Sequence, residues 1–226
     1  MRALLGGGGA CLLFLSWPVA RAAWEAQRAD AVMMALRTGH PIDANEVRAG
    51  IAALDRAVAL DAGAGRYLDR SELLGGAGLA SSLEVSAAER TAWQRRALDD
   101  LEKGLAAAPA RGVAWLRLAA LTDVLDGASR EVLPPLLLSI EDAALIPETW
   151  GPRLRVILDC WPYMSDAQKE RIAAYMRQTW QVAADRRIFA WEIHSPVDEL
   201  IVRYFLRGKP GAQEELAKLI TDTRRR

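Results

Sequence analysis

Apolar residues recur along this chain at helical spacing. Val47, Ile51, Leu54 and Val58 step by four, three and four residues, which stacks them on one helix face. Trp93, Ala97, Leu101 and Leu105 form a second such face, and Ile172, Tyr175, Met176 and Thr179 a third. Each run opens on a residue suited to the free N–H groups of a first turn: Asp43 with Glu46, Ser86 with Glu89, Ser165 with Gln168. Ser195-Pro196, followed by Asp198 and Glu199, predicts a further start with proline in the first turn, running to Arg207 and stopping at Gly208. Asp126-Gly127, Pro147, Trp161-Pro162 and the stretch from Gly208 to Gly211 read as breaks. No convincing alternating segment supports a strand. The pattern therefore predicts an all-α fold of about nine or ten helices from Trp24 onward, joined by short connections. One stretch reads otherwise: Gly75-Gly76-Ala77-Gly78 and Ser81-Ser82 predict a flexible loop over 75–87.

Composition supports the helical reading. Ala, Leu, Arg and Glu dominate, and these lose little freedom in a helix. The 226 residues, 51% of them hydrophobic, suffice for one cored domain or a row of small units. With 29 basic against 29 acidic residues there is no global field to draw nucleic acid or an anionic membrane, and Arg224-Arg225-Arg226 reads as a solvated tail.

The N-terminus reads as an export signal. Arg2 precedes an apolar stretch from Ala3 to Val19, interrupted by Gly6 to Gly9, Ser16 and Pro18, and Ala20-Arg21-Ala22 supplies the small-x-small cleavage pattern. Residues 1–22 are thus expected to be a signal peptide, with Pro18 breaking the helix before the cut and Ala23 starting the mature chain. The rival reading keeps the segment as an anchor in the inner membrane, although its length is near the minimum for a span. Either reading places the domain in the periplasm, exported or tethered. Cys11 leaves with the signal, so Cys160 is the only remaining thiol and no internal disulfide forms. Between Asp159 and Trp161 it reads as a small buried hydrophobe.

The helices repeat. Gly50, Leu54 and Ala57 set a small-large-small pattern that returns 47 residues on at Ala97, Leu101 and Gly104. A third copy, at Leu136, Ile140 and Ala143, lies a further 39 on, with Leu136 in place of the small residue. Small residues let a neighbouring helix approach while the large one fills the notch. In the second copy Gly104 is followed by Pro109, Trp115, Leu118 and Ala119, and over roughly residues 44–147 the chain resembles the tetratricopeptide repeat. That family's period is about 34 residues. Insertions at Gly75 to Ala87 and Asp126 to Arg130 account for the excess. The resemblance implies antiparallel helix pairs stacked as a short solenoid over residues 23–147, with 148–226 as a helical continuation or cap. It also implies a partner-binding groove lined by first helices, at Arg66 and Asp69 in one unit and Leu116, Ala120 and Asp123 in the next. In texture, Leu154 to Trp161 and Ser165 to Trp180 are similar to repeat-containing proteins found beside bacterial exopolysaccharide assembly genes.

Catalytic chemistry is hard to place. His40 lies in a Gly-His-Pro turn and His194 just before a helix start, neither with a second histidine or cysteine at ligand spacing. Asp99, Asp100 and Glu102 interleave with Arg95, Arg96 and Lys103 and read as a solvated, salt-bridged face. Gly6 to Gly9 lacks the Lys-Ser/Thr of a phosphate loop, and no serine has a nucleophile-elbow context. Trp93, Trp115, Trp150, Trp161, Trp180 and Trp191 read as wedges between helices rather than as a sugar platform. No catalytic, metal or cofactor residue is assigned. The expectation is a non-enzymatic adaptor of the cell envelope, in exopolysaccharide assembly or export, that holds an extended segment or helix of a protein partner by apolar contact. A structural subunit of a membrane complex and a helical glycan-active enzyme are the rival expectations.

Overall fold

The computed structural model describes the backbone of residues 2–225 and the side chains of residues 16–225. Among the described residues there are eleven α-helices and no strand. They are α1 (Arg2–Thr38), α2 (Ala44–Leu60), α3 (Ala64–Leu79), α4 (Ala87–Ala107), α5 (Gly112–Asp126), α6 (Leu133–Ala143), α7 (Trp150–Cys160), α8 (Asp166–Val182), α9 (Arg187–Trp191), α10 (Pro196–Phe205) and α11 (Ala212–Arg224). The chain forms two compact units, Met1–Pro109 and Ala110–Arg226.

In the first unit α1 pairs with α2 and α3 with α4, and both helices of the first pair lie against α3. Short connections make consecutive helices antiparallel. The starts are those read from sequence. Asp43 and Glu46 close a capping box on α2, and the Ser86 side chain accepts from the Glu89 N–H at the head of α4. The repeat positions all face inward: Gly50, Leu54 and Ala57 in α2, then Ala97, Leu101 and Gly104 in α4, are buried. A Cβ added at Gly50 would sit 3.2 Å from Leu73 of α3 and 3.4 Å from Val32 of α1, so this residue is the notch between two helices. At Gly104 the added Cβ would meet Leu68 at 2.6 Å and the Ala64 carbonyl oxygen at 3.4 Å. Its nearest neighbours therefore belong to α3, its own partner helix.

The structure corrects three expectations in this unit. Gly75 to Gly78 are not a loop but the last turns of α3, and only residues 80–86 connect it to α4. Gly78 is small because α4 lies close: a Cβ there would fall 2.6 Å from Gln94 Cγ and 3.4 Å from the Arg90 carbonyl oxygen. The frayed end is held by donors from α4. Gln94 Nε2 donates to the Gly78 carbonyl at 2.9 Å, and Arg90 donates to those of Ala80 and Leu83 at 2.6 and 3.1 Å. Secondly, Asp100 is not on a solvated face. It is wholly buried and takes both prongs of Arg70 from α3, each at 2.7 Å, while Arg70 also donates to Asp55 of α2 at 3.0 Å. Arg96 closes the network on Asp55. Thirdly, Pro18 does not break α1, which runs on through it and through Ala20-Arg21-Ala22. A proline ring costs the helix one hydrogen bond and a local clash, and here the flanking turns carry it. The described side chains from Ser16 to Arg21 are exposed, and the buried stripe of Ala22, Ala26, Ala29 and Val32 begins after them. Most of the apolar run from Ala3 falls outside the residues whose side chains are described. Among the described residues no helix is long and apolar enough to cross a membrane.

The second unit opens with the pair α5 and α6. A Cβ on Gly112 would lie 2.5 Å from Ala143 Cβ and 2.9 Å from the Ala143 nitrogen, so the first turn of α5 seats directly on the last turn of α6. Pro134 and Pro135 do not prevent a helix start: they occupy the first turn of α6, where missing N–H groups cost nothing. Leu136, Ile140 and Ala143 are buried, as the third copy requires. After α6 the order of contacts changes: α7 lies against α5, α6 and α9, α8 packs on α10, and α9 on α11. Leu154, Ile157, Ile172, Met176, Trp180, Phe189, Val202, Phe205 and Leu216 build one core from these helices. Trp150 and Trp180 are wedges within this unit, as Trp93 is in the first, whereas Trp191 is half-exposed and Trp161 partly buried. Cys160 is fully buried, and burial pushes its thiol up to about 11.

Arg153 is the largest wholly buried side chain among the described residues. It donates to the carbonyls of Ser139 at 3.0 Å and Ala143 at 3.3 Å, to the Ser139 hydroxyl at 3.2 Å and to the Tyr175 hydroxyl at 2.5 Å. The cation thus sits on the carbonyl-rich end of α6, where the helix dipole favours positive charge.

Candidate functional site

The residues expected to line a groove fall into the two units. Arg66 and Asp69 are neighbours on α3, half-buried and paired at 3.5 Å. Leu116, Ala120 and Asp123 lie at i, i+4 and i+7 on α5, which places them on one face. Leu116 is only 5% exposed, so it does not present itself to a partner, while Ala120 and Asp123 remain partly accessible.

Asp123 leads to a polar cluster that periodicity did not single out. Its carboxyl lies near the Asp159 carboxylate of α7, a like charge that disfavours its ionisation. Burial pushes the Asp123 carboxyl above its ordinary range, the Asp159 charge pushes it further, and Arg155 only partly opposes them. Arg155, one turn before Asp159, is the hub. It donates to the two Asp159 oxygens at 2.9 and 2.6 Å, to the Glu192 carbonyl at 2.8 Å and to Asp198 at 3.4 Å, and its Nη1 lies 3.2 Å from His194 Nδ1.

Each remaining acid has its own environment. Asp198 closes the capping box of α10 and accepts from the backbone N–H groups of His194 and Ser195 at 2.9 and 3.0 Å. Burial works against its ionisation, but Arg155 and the His194 N–H outweigh it and hold the carboxyl below its usual range. Glu192 has no such cap. Burial pushes its carboxyl up, against the pull of His194 and Arg155. Its Oε1 lies 3.2 Å from where a Cβ on Gly151 would stand, at the first turn of α7. One guanidinium and one imidazole thus face four carboxyl groups drawn from α5, α7 and the segment leading into α10. Through Arg155 the arrangement ties α7 to the segment leading into α10.

His40 stands apart, exposed, with Nδ1 2.6 Å from the Thr38 hydroxyl at the end of α1. Among the described residues no group of three or more His, Cys, Asp or Glu is arranged to hold a metal ion. Arg155 and Asp159 stand at i and i+4 on α7, a spacing that sequence reading passed over, and Glu192 and Asp198 join Arg155 from 37 and 43 residues away. Comparison with protein-family models, with curated proteins and with solved structures gives no match to this chain.

Proposed function

We propose that this protein is a non-enzymatic adaptor of the bacterial cell envelope that holds an extended segment or helix of a protein partner on its first helices. The observation that carries the reading is the burial of the nine small-large-small positions on α2, α4 and α6. That packing consumes the second helix of each pair and leaves accessible residues on α3 and α5, the helices that line the groove in tetratricopeptide repeats. The charged groups support the reading, because the buried ones are engaged with one another. The process we propose, polysaccharide assembly or export, rests on the resemblance in sequence texture of Leu154 to Trp161 and Ser165 to Trp180 alone.

For the N-terminus, the unbroken course of α1 through Ala20-Arg21-Ala22 favours retention of residues 1–22 over their removal, since a peptidase takes its substrate in extended form. Cleavage after Ala22 would leave a helix as long as the 16 residues of α3, so both forms are compatible with the first pair.

A photo-crosslinking side chain tests the adaptor reading in cells. Placed at Asp69 or Ala120 it is expected to capture a discrete polypeptide that the same group at Ala49 of α2 or Glu102 of α4 does not. Equal capture at all four positions, or capture from α2 and α4 alone, would remove the groove.

A further inference from the structure

We propose that the exposed stripe Trp17, Arg21, Trp24 and Arg28 on α1 is a bilayer-docking surface, fitted to the headgroup layer of an anionic membrane. At 100° per residue these positions, i, i+4, i+7 and i+11, fall within about 60° of arc, so they form one face. Trp17 and Trp24 are 66% and 64% exposed, and the Arg28 side chain 56%. No carboxylate lies on this stripe. Glu25, the nearest acid, turns inward and is held by Arg56 at 3.0 Å and Arg28 at 3.2 Å.

Two large indoles left in water on a helix whose described side chains bury only alanine, valine and one paired glutamate are not explained by the core. The occupant follows from what the stripe is joined to. The same helix is continuous with the apolar run that begins at Ala3, so Trp17 stands where a hydrocarbon-compatible sequence ends and charged residues begin. Indole is favoured at that boundary, where its ring meets acyl chains and its N–H stays wet. Arginine stems lie along apolar surface while their heads reach phosphate. A face of two indoles and two arginines, with Arg28 shared with the inward-turned Glu25 and Glu25 itself also held by Arg56, therefore matches the charge and the polarity gradient of an anionic bilayer surface. The inference rests on retention of residues 1–22 and not on the adaptor reading.

The full chain, with Cys11→Ala and a nitroxide on Ala20→Cys beside the stripe or on Ala49→Cys of α2, is bound to vesicles of phosphatidylethanolamine and phosphatidylglycerol. The Ala20 label is expected to lose access to an aqueous nickel reagent and gain access to oxygen, while the Ala49 label stays in water. Trp17→Ala/Trp24→Ala should return the Ala20 label toward water or lower flotation with the vesicles by about ten-fold. Arg21→Gln/Arg28→Gln should abolish the preference over phosphatidylcholine vesicles. All four residues are exposed, so circular dichroism should be unchanged in both double variants. An Ala20 label that stays aqueous on bound protein, or that ignores the tryptophan substitutions, overturns the proposal. So does a mature chain that begins at Ala23.

Discussion

Gly104 offers the sharpest test of the helix-pair packing, because two opposing effects predict opposite signs. A glycine inside a helix is worth about 0.5–1 kcal/mol less than alanine, so replacing an exposed one stabilises. At Gly104 a Cβ alone would stand 2.6 Å from Leu68 Cδ2 and 2.8 Å from Leu68 Cγ, with the Ala64 carbonyl oxygen behind them at 3.4 Å. Leucine adds three carbons beyond that Cβ, in a seam whose far wall is backbone. Overpacking of this kind costs about 1–3 kcal/mol, which outweighs the propensity gain. Gly104→Leu should therefore lower the midpoint of thermal unfolding by several degrees, at roughly 2–4 °C per kcal/mol for a chain of this size. Gly76→Ala supplies the control. It lies in α3, exposed, and its Cβ would touch only Leu36 at an ordinary 3.8 Å. It should raise the midpoint. Leu68→Ala in the Gly104→Leu background should recover part of the loss, since the two residues share one volume. A Gly104→Leu protein more stable than wild type would mean that α3 and α4 do not meet here.

Two further outcomes follow from the second unit. Arg153→Met keeps the bulk but leaves the end of α6 and the Tyr175 hydroxyl without donors, and should cost about 3 kcal/mol or more by urea unfolding; Arg153→Lys should not restore it, because an ammonium cannot fork between the Ser139 and Ala143 carbonyls. Asp123 has its proton affinity raised on folding, so its contribution is complete below the ordinary aspartate range near ~3.9 and is lost as pH rises through the folded value. Asp123→Asn, which carries no charge there, should flatten stability over that window and exceed wild type above it; parallel pH profiles for the two proteins would refute the raised proton affinity of Asp123.

What the sequence discloses here is what short range decides. Asp43, Ser86, Ser165 and Ser195 announce their helices because a cap reaches only two or three residues, and the structure has all four accepting from the expected N–H groups. Gly127, Gly208 and Gly211 act as breaks because their positive φ is a local need. Gly75 to Gly78 mislead for the opposite reason. Their smallness answers the approach of α4, and the donors that hold the turn come from Arg90 and Gln94, 7 to 16 residues downstream of the carbonyls they bind. Asp100 misleads likewise, since Arg70, 30 residues earlier, decides that it is buried. The Arg155 cluster is assembled from three segments and shows no period at all. The groove residues were placed by family register, and register alone does not tell that Leu116 is covered.

The balanced charge has a consequence for recognition. Buried polar groups in both units are satisfied internally: Asp100 by Arg70, Arg153 by carbonyls and a phenol, Asp198 by Arg155 and two N–H groups. Among the described residues no buried side-chain nitrogen or oxygen lacks a hydrogen-bond partner. Exposed arginines are paired as well, Arg48 with Glu89, Arg171 with Glu141, Arg187 with Asp185 and Arg207 with Glu170. Pairs of this kind add little stability, but each cancels a field that would otherwise reach a partner across a Debye length of about 10 Å. A surface so neutralised steers ligands weakly. Selectivity must then come from shape and from the apolar side chains left uncovered; on the stripe from Trp17 to Arg28 the exposed indoles stand beside Arg21, while Arg28 is paired with Glu25.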